Sequence, residues 1–243
     1  MICYENFRAV FDTVMALNGF SRFADEDKSR MFYQLTERML SVNEKMNLTA
    51  IKEESAIVLL HYVDSLTAEA FLPQNARIAD IGCGAGFPCL PLAICRPDLS
   101  ILALDSTEKR IQYVKETANL LNCRGLTAVS MRAEEGGKGI YREAFDCCTA
   151  RAVAALPALS ELCLPFVRVG GTFLAMKGRK GEEEAMAAQN AIKRLGGEIA
   201  ALHPVKLLGG AEEETRHLIE IKKIKATPAE FPRPWGKILK KPL

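Results

Sequence analysis

The segment Asp80-Ile-Gly82-Cys-Gly84-Ala-Gly86-Phe87-Pro88 sets three glycines at alternate positions, after a short apolar run and before an apolar helical pattern. The carboxyl end of a strand opening into a helix is where α/β sheets bind nucleotides. Glycine lets the backbone turn sharply there and approach a ligand closely, because no Cβ intervenes. The spacing is G-x-G-x-G, whereas dinucleotide enzymes use G-x-G-x-x-G with the third glycine beside a pyrophosphate. Phe87 stands where that third glycine would be, which disfavours a nicotinamide oxidoreductase. Asp105 ends the next apolar run, 19 residues after Gly86. A carboxylate at that place can accept both ribose hydroxyls of an adenosyl group. Asp80 can order the loop or bind a methionine amine, and Glu134, beyond a third strand, can lie beside an adenine. Three acidic residues at three consecutive strand ends suit a cationic sulfonium better than a pyrophosphate. The cofactor expected is S-adenosylmethionine; the alternative for each acid is a surface carboxylate or a helix cap.

Other residues could carry chemistry with less specific spacing. Arg151 follows the fourth strand and could contact cofactor, guanine or a phosphate; a salt bridge to Asp146 or a helix contact is the structural alternative. His61 and Asp64, three apart on a helix, share one face, either to contact RNA or to fasten the helical region to the sheet. Lys177, Arg179 and Lys180 form a basic, glycine-broken loop at another strand end. No C-x-x-C occurs, and the three histidines complete no zinc pattern, so no metal is expected. The eight cysteines read as small, reduced, mostly buried apolar residues.

The elements that must position these groups show in the periodicity. Phe7, Val10, Phe11, Val14 and Leu17 recur at steps of three and four and stop at Gly19. Phe32, Leu35, Met39, Val42 and Met46 repeat the pattern. A third apolar face, Leu59, Tyr62, Val63 and Leu66, follows an N-cap expected at Ser55. From residue 76 the texture becomes strand–helix alternation. Strands are expected at 77–82, 100–105, 126–131, 145–150, 172–177 and 218–224, with helices after the glycine loop and after Asp105. Such alternation predicts an α/β doubly wound sheet with helices on both faces. The organisation expected is an N-terminal helical region (1–72) and a cofactor-binding domain (73–243) that ends in a basic tail.

No apolar run is long enough to span a bilayer and no signal peptide is evident, so a cytoplasmic chain without membrane partners is expected. Net charge is only +2, but seven of the 32 basic residues lie beyond position 221, opposed there by Glu230 alone. Within that tail Arg233, Lys237, Lys240 and Lys241, together with the 177–180 loop, are candidates for a phosphate-contacting rim. A tail pinned to the domain by Pro242 and Leu243, its lysines serving solubility, is the competing reading.

Taken in order, a longer set of segments resembles the bacterial small-subunit ribosomal guanine-N7 methyltransferases, the glucose-inhibited division protein B family. They are Asn47-Leu-Thr49, His61-x-x-Asp64-Ser-Leu66, Asp80 to Pro91, Asp105-Ser106 with Lys109-Arg110, and Arg132-Ala-Glu134. The set continues through Phe145-Asp146, Ala150-Arg-Ala-Val153, Gly170-Gly171, Lys177-Gly178, Phe231-Pro-Arg233 and Lys240-Lys-Pro-Leu243. The resemblance implies a Rossmann-like class I methyltransferase fold and methylation of guanine N7 in 16S rRNA near the decoding site. The implied partner is 16S rRNA or the small ribosomal subunit. It also implies cofactor contacts by Gly82, Phe87, Ala133, Glu134 and Arg151. Cys83, Cys89, Phe231, Trp235 and Ile238 depart from the family's usual residues.

Guanine N7 carries an in-plane lone pair, so transfer needs alignment and exclusion of water but no general base. The Asn/Asp-Pro-Pro-aromatic loop of exocyclic-amine methyltransferases is replaced here by Ala150-Arg-Ala-Val. The cysteines near the sheet read as packing residues and not as a cytosine-C5 nucleophile. Transfer to a small molecule or protein, and a non-catalytic RNA-binding module, are the alternative functions.

Overall fold

The computed structural model describes residues 3–210 and 214–243. Helix α1 (Tyr4–Leu17) buries Phe7, Phe11 and Val14, and α2 (Glu26–Met46) buries Phe32, Leu35 and Met39, each along one stripe. Asp25 caps α2 by accepting from Lys28 N at 2.9 Å. The helix stops at Asn47, in the left-handed region at φ 49°. The third helical stretch starts at α3 (Glu54–Ile57), passes through a π-helical segment Val58–Val63 and ends as α4 (Asp64–Leu66). Its cap is Glu53 and not Ser55: the longer carboxylate reaches both Ser55 N and Ala56 N.

The sheet begins at β1 (Arg77–Ile81), then α5 (Cys89–Cys95), β2 (Ser100–Asp105), α6 (Glu108–Leu120), β3 (Leu126–Ser130), α7 (Ala133–Gly136) and β4 (Phe145–Arg151). It continues through α8 (Leu156–Cys163), β5 (Val167–Lys177), α9 (Gly181–Arg194), β6 (Gly197–Leu207) and β7 (Glu214–Lys223) to α10 (Trp235–Lys240). The strand order is β3-β2-β1-β4-β5-β7-β6. Strands β1 to β5 pair in parallel, while β7 runs antiparallel between β5 and β6.

The strands depart from expectation in several places, β7 among them, which starts at Glu214 and not at 218. β6 is an unanticipated strand: it forms the sheet edge, alternates in burial and contains Pro204, which only an edge position tolerates. β3 closes the opposite edge and is half exposed, not a buried strand. β5 starts at Val167, five residues before its expected start, because its first part pairs across an irregularity with Phe145.

The helical elements do not stand apart from the sheet. Phe7, Phe11, Phe32 and Tyr62 share one core with Phe87, Leu90, Ile78 and Val114. A second core, on the other face, joins Leu104, Phe145, Leu159, Phe173 and Ile192 to Phe231 and Ile238 of the tail. Among the described residues no helix is long and apolar enough to cross a membrane.

Candidate active site

A cavity of about 280 Å³ opens at the carboxyl ends of β1 to β4, lined by Gly82, Asp105, Thr107, Arg110, Glu134 and Val153 among others. The glycine loop closes on the neighbouring strand β2: Gly82 N and Cys83 N both donate to Leu104 O, at 2.7 and 3.1 Å. Glycine is required at two positions. Gly82 has φ 73°, and an added Cβ would lie 2.6 Å from Val153 Cγ2; at Gly86 (φ 91°) it would lie 2.3 Å from Leu90 Cδ1. Gly82 therefore keeps the cavity wall flat, and Gly86 lets α5 pack against the loop.

Asp105 is 7% exposed at the end of β2. One of its oxygens accepts from Gly84 N at 3.0 Å and the other from Thr107 N at 2.8 Å. It joins loop and strand end while still facing the cavity. Glu134 accepts from Trp235 N at 3.3 Å, and Ala133 lies beside it in the wall. Trp235, a departure from the family's usual tail, lines this cavity, as do Met131 and Leu162. No local signal could have found them, because they arrive from three separate elements.

Asp80 does not line the cavity. It is buried, with its oxygens taken by Cys89 N and Thr149 Oγ1, both at 3.2 Å. Burial pushes its carboxyl up to about 6, against the pull of those hydrogen bonds. Asp80 thereby ties β1 to the start of α5 and to β4. Gly84, Gly86 and Phe87 also stand outside the cavity lining. The Phe87 ring stacks on His61, with centroids 4.5 Å apart and planes 9° from parallel. The guanidinium of Arg151 sits 5.4 Å from the same ring.

Arg151 takes neither the alternative Asp146 partner nor a place in the first cavity. Asp146 binds Arg168 instead. Arg151 Nη1 donates to Leu60 O at 2.9 Å and to Asp64 Oδ2 at 3.0 Å. It lines a second cavity, of about 200 Å³, with Asp64, Ala152, Met176, Lys177, Gly178, Glu184 and Arg216. Ala152 has φ 56° and borders both cavities. The chain turns there, so Arg151 faces one cavity and Val153 the other.

His61 is buried in packing, and its Nδ1 has no hydrogen-bond partner among the described residues. Its Nε2 lies 2.9 Å from Thr49 Oγ1, and burial, then the charge of Arg151, bring its pKa down to about 4. His61 packs on Phe87 and Asp64 binds Arg151, so both link the helical region to the sheet.

Two parts of the expected basic rim are corrected. Lys177 is buried: its Nζ donates to Ala154 O at 2.6 Å and meets Glu184 at 2.7 Å. Its position on β5 points the side chain into the second cavity's wall, while Arg179 and Lys180 remain exposed. Arg233 is likewise occupied, bound through Nε and Nη2 to the fully buried Glu161 at 2.8 and 2.6 Å. The tail is not a loose cationic chain. Phe231 and Ile238 anchor it in the second core, α10 forms just after Pro234, and Lys237, Lys240 and Lys241 project outward.

Burial lifts the Cys147 thiol to about 11 and raises Cys89 well above the usual thiol range, which disfavours a nucleophilic thiolate at either.

A family model described as GidB, rRNA small subunit methyltransferase G, matches residues 28–219. The chain belongs to this family. Ribosomal RNA small subunit methyltransferase G of Staphylococcus carnosus is 44% identical over 223 residues, covering 90% of this chain and 92% of that protein. The protein of the same name from Lactobacillus delbrueckii is 41% identical over 221 residues, covering 89% and 92%. Among solved structures, P. horikoshii TYW2 in complex with MeSAdo superposes with a TM-score of 0.55 at 15% identity, covering 68% of this chain and 63% of that one. M. jannaschii TYW2 in complex with AdoMet gives 0.54 at 12% identity, covering 67% and 76%. These likenesses show the class I methyltransferase fold.

Proposed function

We propose that this protein transfers a methyl group from S-adenosylmethionine to N7 of a guanine in 16S rRNA near the decoding site. The observation that carries the reading is the cavity at the strand ends, with Asp105 and Glu134 in its wall and a flat glycine floor, in a chain of this family. In this reading Asp105 accepts the ribose hydroxyls, and the wall of Ala133, Glu134 and Trp235 receives the adenine. Asp80, Gly84 and Gly86 shape the loop, Phe87 supports it from behind, and Arg151 faces the acceptor side. Bound there, the cofactor supplies a methyl on a sulfonium: the N7 lone pair takes it, the C–S electron pair stays on sulfur, and the positive charge passes to the guanine.

The chain's own task is then alignment and exclusion of water. Ala152, which borders both cavities, places the acceptor beside the methyl. Arg179, Lys180, Lys237, Lys240 and Lys241 contact RNA phosphates at the rim, and helices α1 to α4 brace the sheet that carries the site. The setting is the cytoplasm and the partner is 16S rRNA or the small ribosomal subunit.

The test incubates the protein with labelled S-adenosylmethionine and small subunits lacking the modification, then maps N7-methylguanine by chemical cleavage. One cleavage site in 16S rRNA is expected. Label in protein or small molecules but not in rRNA overturns the reading.

A further inference from the structure

We infer that Arg216 of β7 is the residue that distinguishes guanine from adenine at the acceptor position, by donating to guanine O6 from the second cavity. The inference rests on the N7-methyltransferase reading above. Adenine N7 carries the same in-plane lone pair as guanine N7, so transfer chemistry alone does not separate the two bases. What differs beside N7 is the neighbouring group: guanine presents the O6 acceptor and adenine the N6 amine donor. A selective site needs a fixed hydrogen-bond donor at that place, next to the methyl.

The second cavity adjoins the first at Ala152 and contains three cationic side chains, Arg151, Lys177 and Arg216. They are held in three different ways. Lys177 Nζ is held between Ala154 O at 2.6 Å and Glu184 at 2.7 Å. Arg151 donates through Nη1 alone, to Leu60 O and Asp64, and its guanidinium is packed over the Phe87 ring.

Arg216 is held differently. Its Nε lies 3.4 Å from Asp64 Oδ2, and its Nη1 donates to Glu214 Oε2 at 2.6 Å. Those two carboxylates orient the guanidinium, while Nη2 has no acceptor among the described residues. A guanidinium oriented by its own carboxylate partners, in the wall of a cavity of about 200 Å³, favours a carbonyl and repels an amine. Sites built to bond one polar group reject an analogue lacking it more strongly than apolar pockets do. Donation goes to O6 alone, leaving N7 free to react.

The test compares single-turnover methyl transfer to unmodified small subunits carrying guanine or adenine at the mapped acceptor position. Native protein, Arg216→Met and Arg216→Lys are each assayed, and S-adenosylmethionine affinity is measured by calorimetry. Native protein should favour guanine strongly. Arg216→Met should lose roughly ten- to a hundred-fold of kcat/KM on guanine and none on adenine, so that the ratio collapses while cofactor affinity holds. Arg216→Lys keeps the positive charge beside Asp64 and should fall between. Loss of transfer to both bases in equal proportion, with the native ratio kept in either variant, overturns the inference. Native protein that methylates neither subunit refutes the underlying function and the inference with it, a result the variants cannot mimic.

Discussion

The carboxylate of Asp64, at the start of the last turn of the helical region, meets the guanidinium of Arg151 at 3.0 Å across 87 residues of sequence. The same oxygen lies 3.4 Å from Arg216. One acid therefore ties the ends of β4 and β7 to the helices that precede the sheet, and sets the two arginines of the second cavity.

Removing that charge should destabilise the fold. Asp64 and Arg151 are both largely buried, with side chains 8% and 15% exposed. Asp64→Asn leaves two guanidiniums without their shared counter-ion, a change expected to cost about 3 kcal/mol. For a chain of this length the melting temperature should fall by on the order of 10 °C. Thermal unfolding followed by circular dichroism measures this; an unchanged midpoint would show that the pair does not fasten the two regions.

Asp105→Ala should weaken both S-adenosylmethionine and its demethylated product. Lost hydrogen bonds to an ionised acceptor are worth about 1.5–3 kcal/mol, roughly ten-fold or more in affinity. Because Asp105 also holds Gly84 N, loosening of the loop adds to the effect. Titration calorimetry decides, and equal affinity in mutant and native protein would falsify the ribose assignment.

Two buried groups should oppose each other in acid. His61, with its pKa lowered to about 4 by burial and then Arg151, contributes stability that is present above about pH 6.5 and lost as pH falls towards 4. Asp80, raised to about 6 by burial, works the other way: its contribution is full below about pH 3.8 and is lost as pH rises through 6. Between about pH 4 and 6 the two slopes offset. Asp80→Asn removes one of them, so denaturant midpoints of that variant should fall more steeply than the native values from pH 6 to 4. Parallel curves for the two proteins would contradict the opposition.

The tail separates an anchoring role from an electrostatic one. Ile238 is fully buried in the second core, and Ile238→Ala should cost about 2–5 kcal/mol. Replacing the exposed Lys237, Lys240 and Lys241 by alanine should change stability by less than about 0.5 kcal/mol. The same triple change should weaken RNA binding and flatten its salt dependence, by up to roughly 0.7 in slope per lost contact to single-stranded RNA. Filter binding across a salt series checks it. A triple variant with native affinity and slope would leave the tail with anchoring alone.

Much of this protein is set by short-range patterns. The glycine spacing after β1, the acid at the end of β2 and the apolar period of α1, α2 and α6 follow from conformational freedom and burial within a dozen residues. They place the cofactor loop and the parallel strands from sequence alone. What tertiary structure decided are groups whose role depends on a distant partner. Asp80 and Lys177 have side-chain types suited to a ligand, but strand register turns both toward protein acceptors or donors. Trp235 reaches the first cavity only because Phe231 and Ile238 fold the tail back onto the sheet. β6 holds Pro204 and half-polar residues, so it becomes a strand only where β7 offers an edge to pair with. Arg151 and Arg216 meet through Asp64 because the antiparallel β7 returns beside β5, a long-range pairing that no local period encodes.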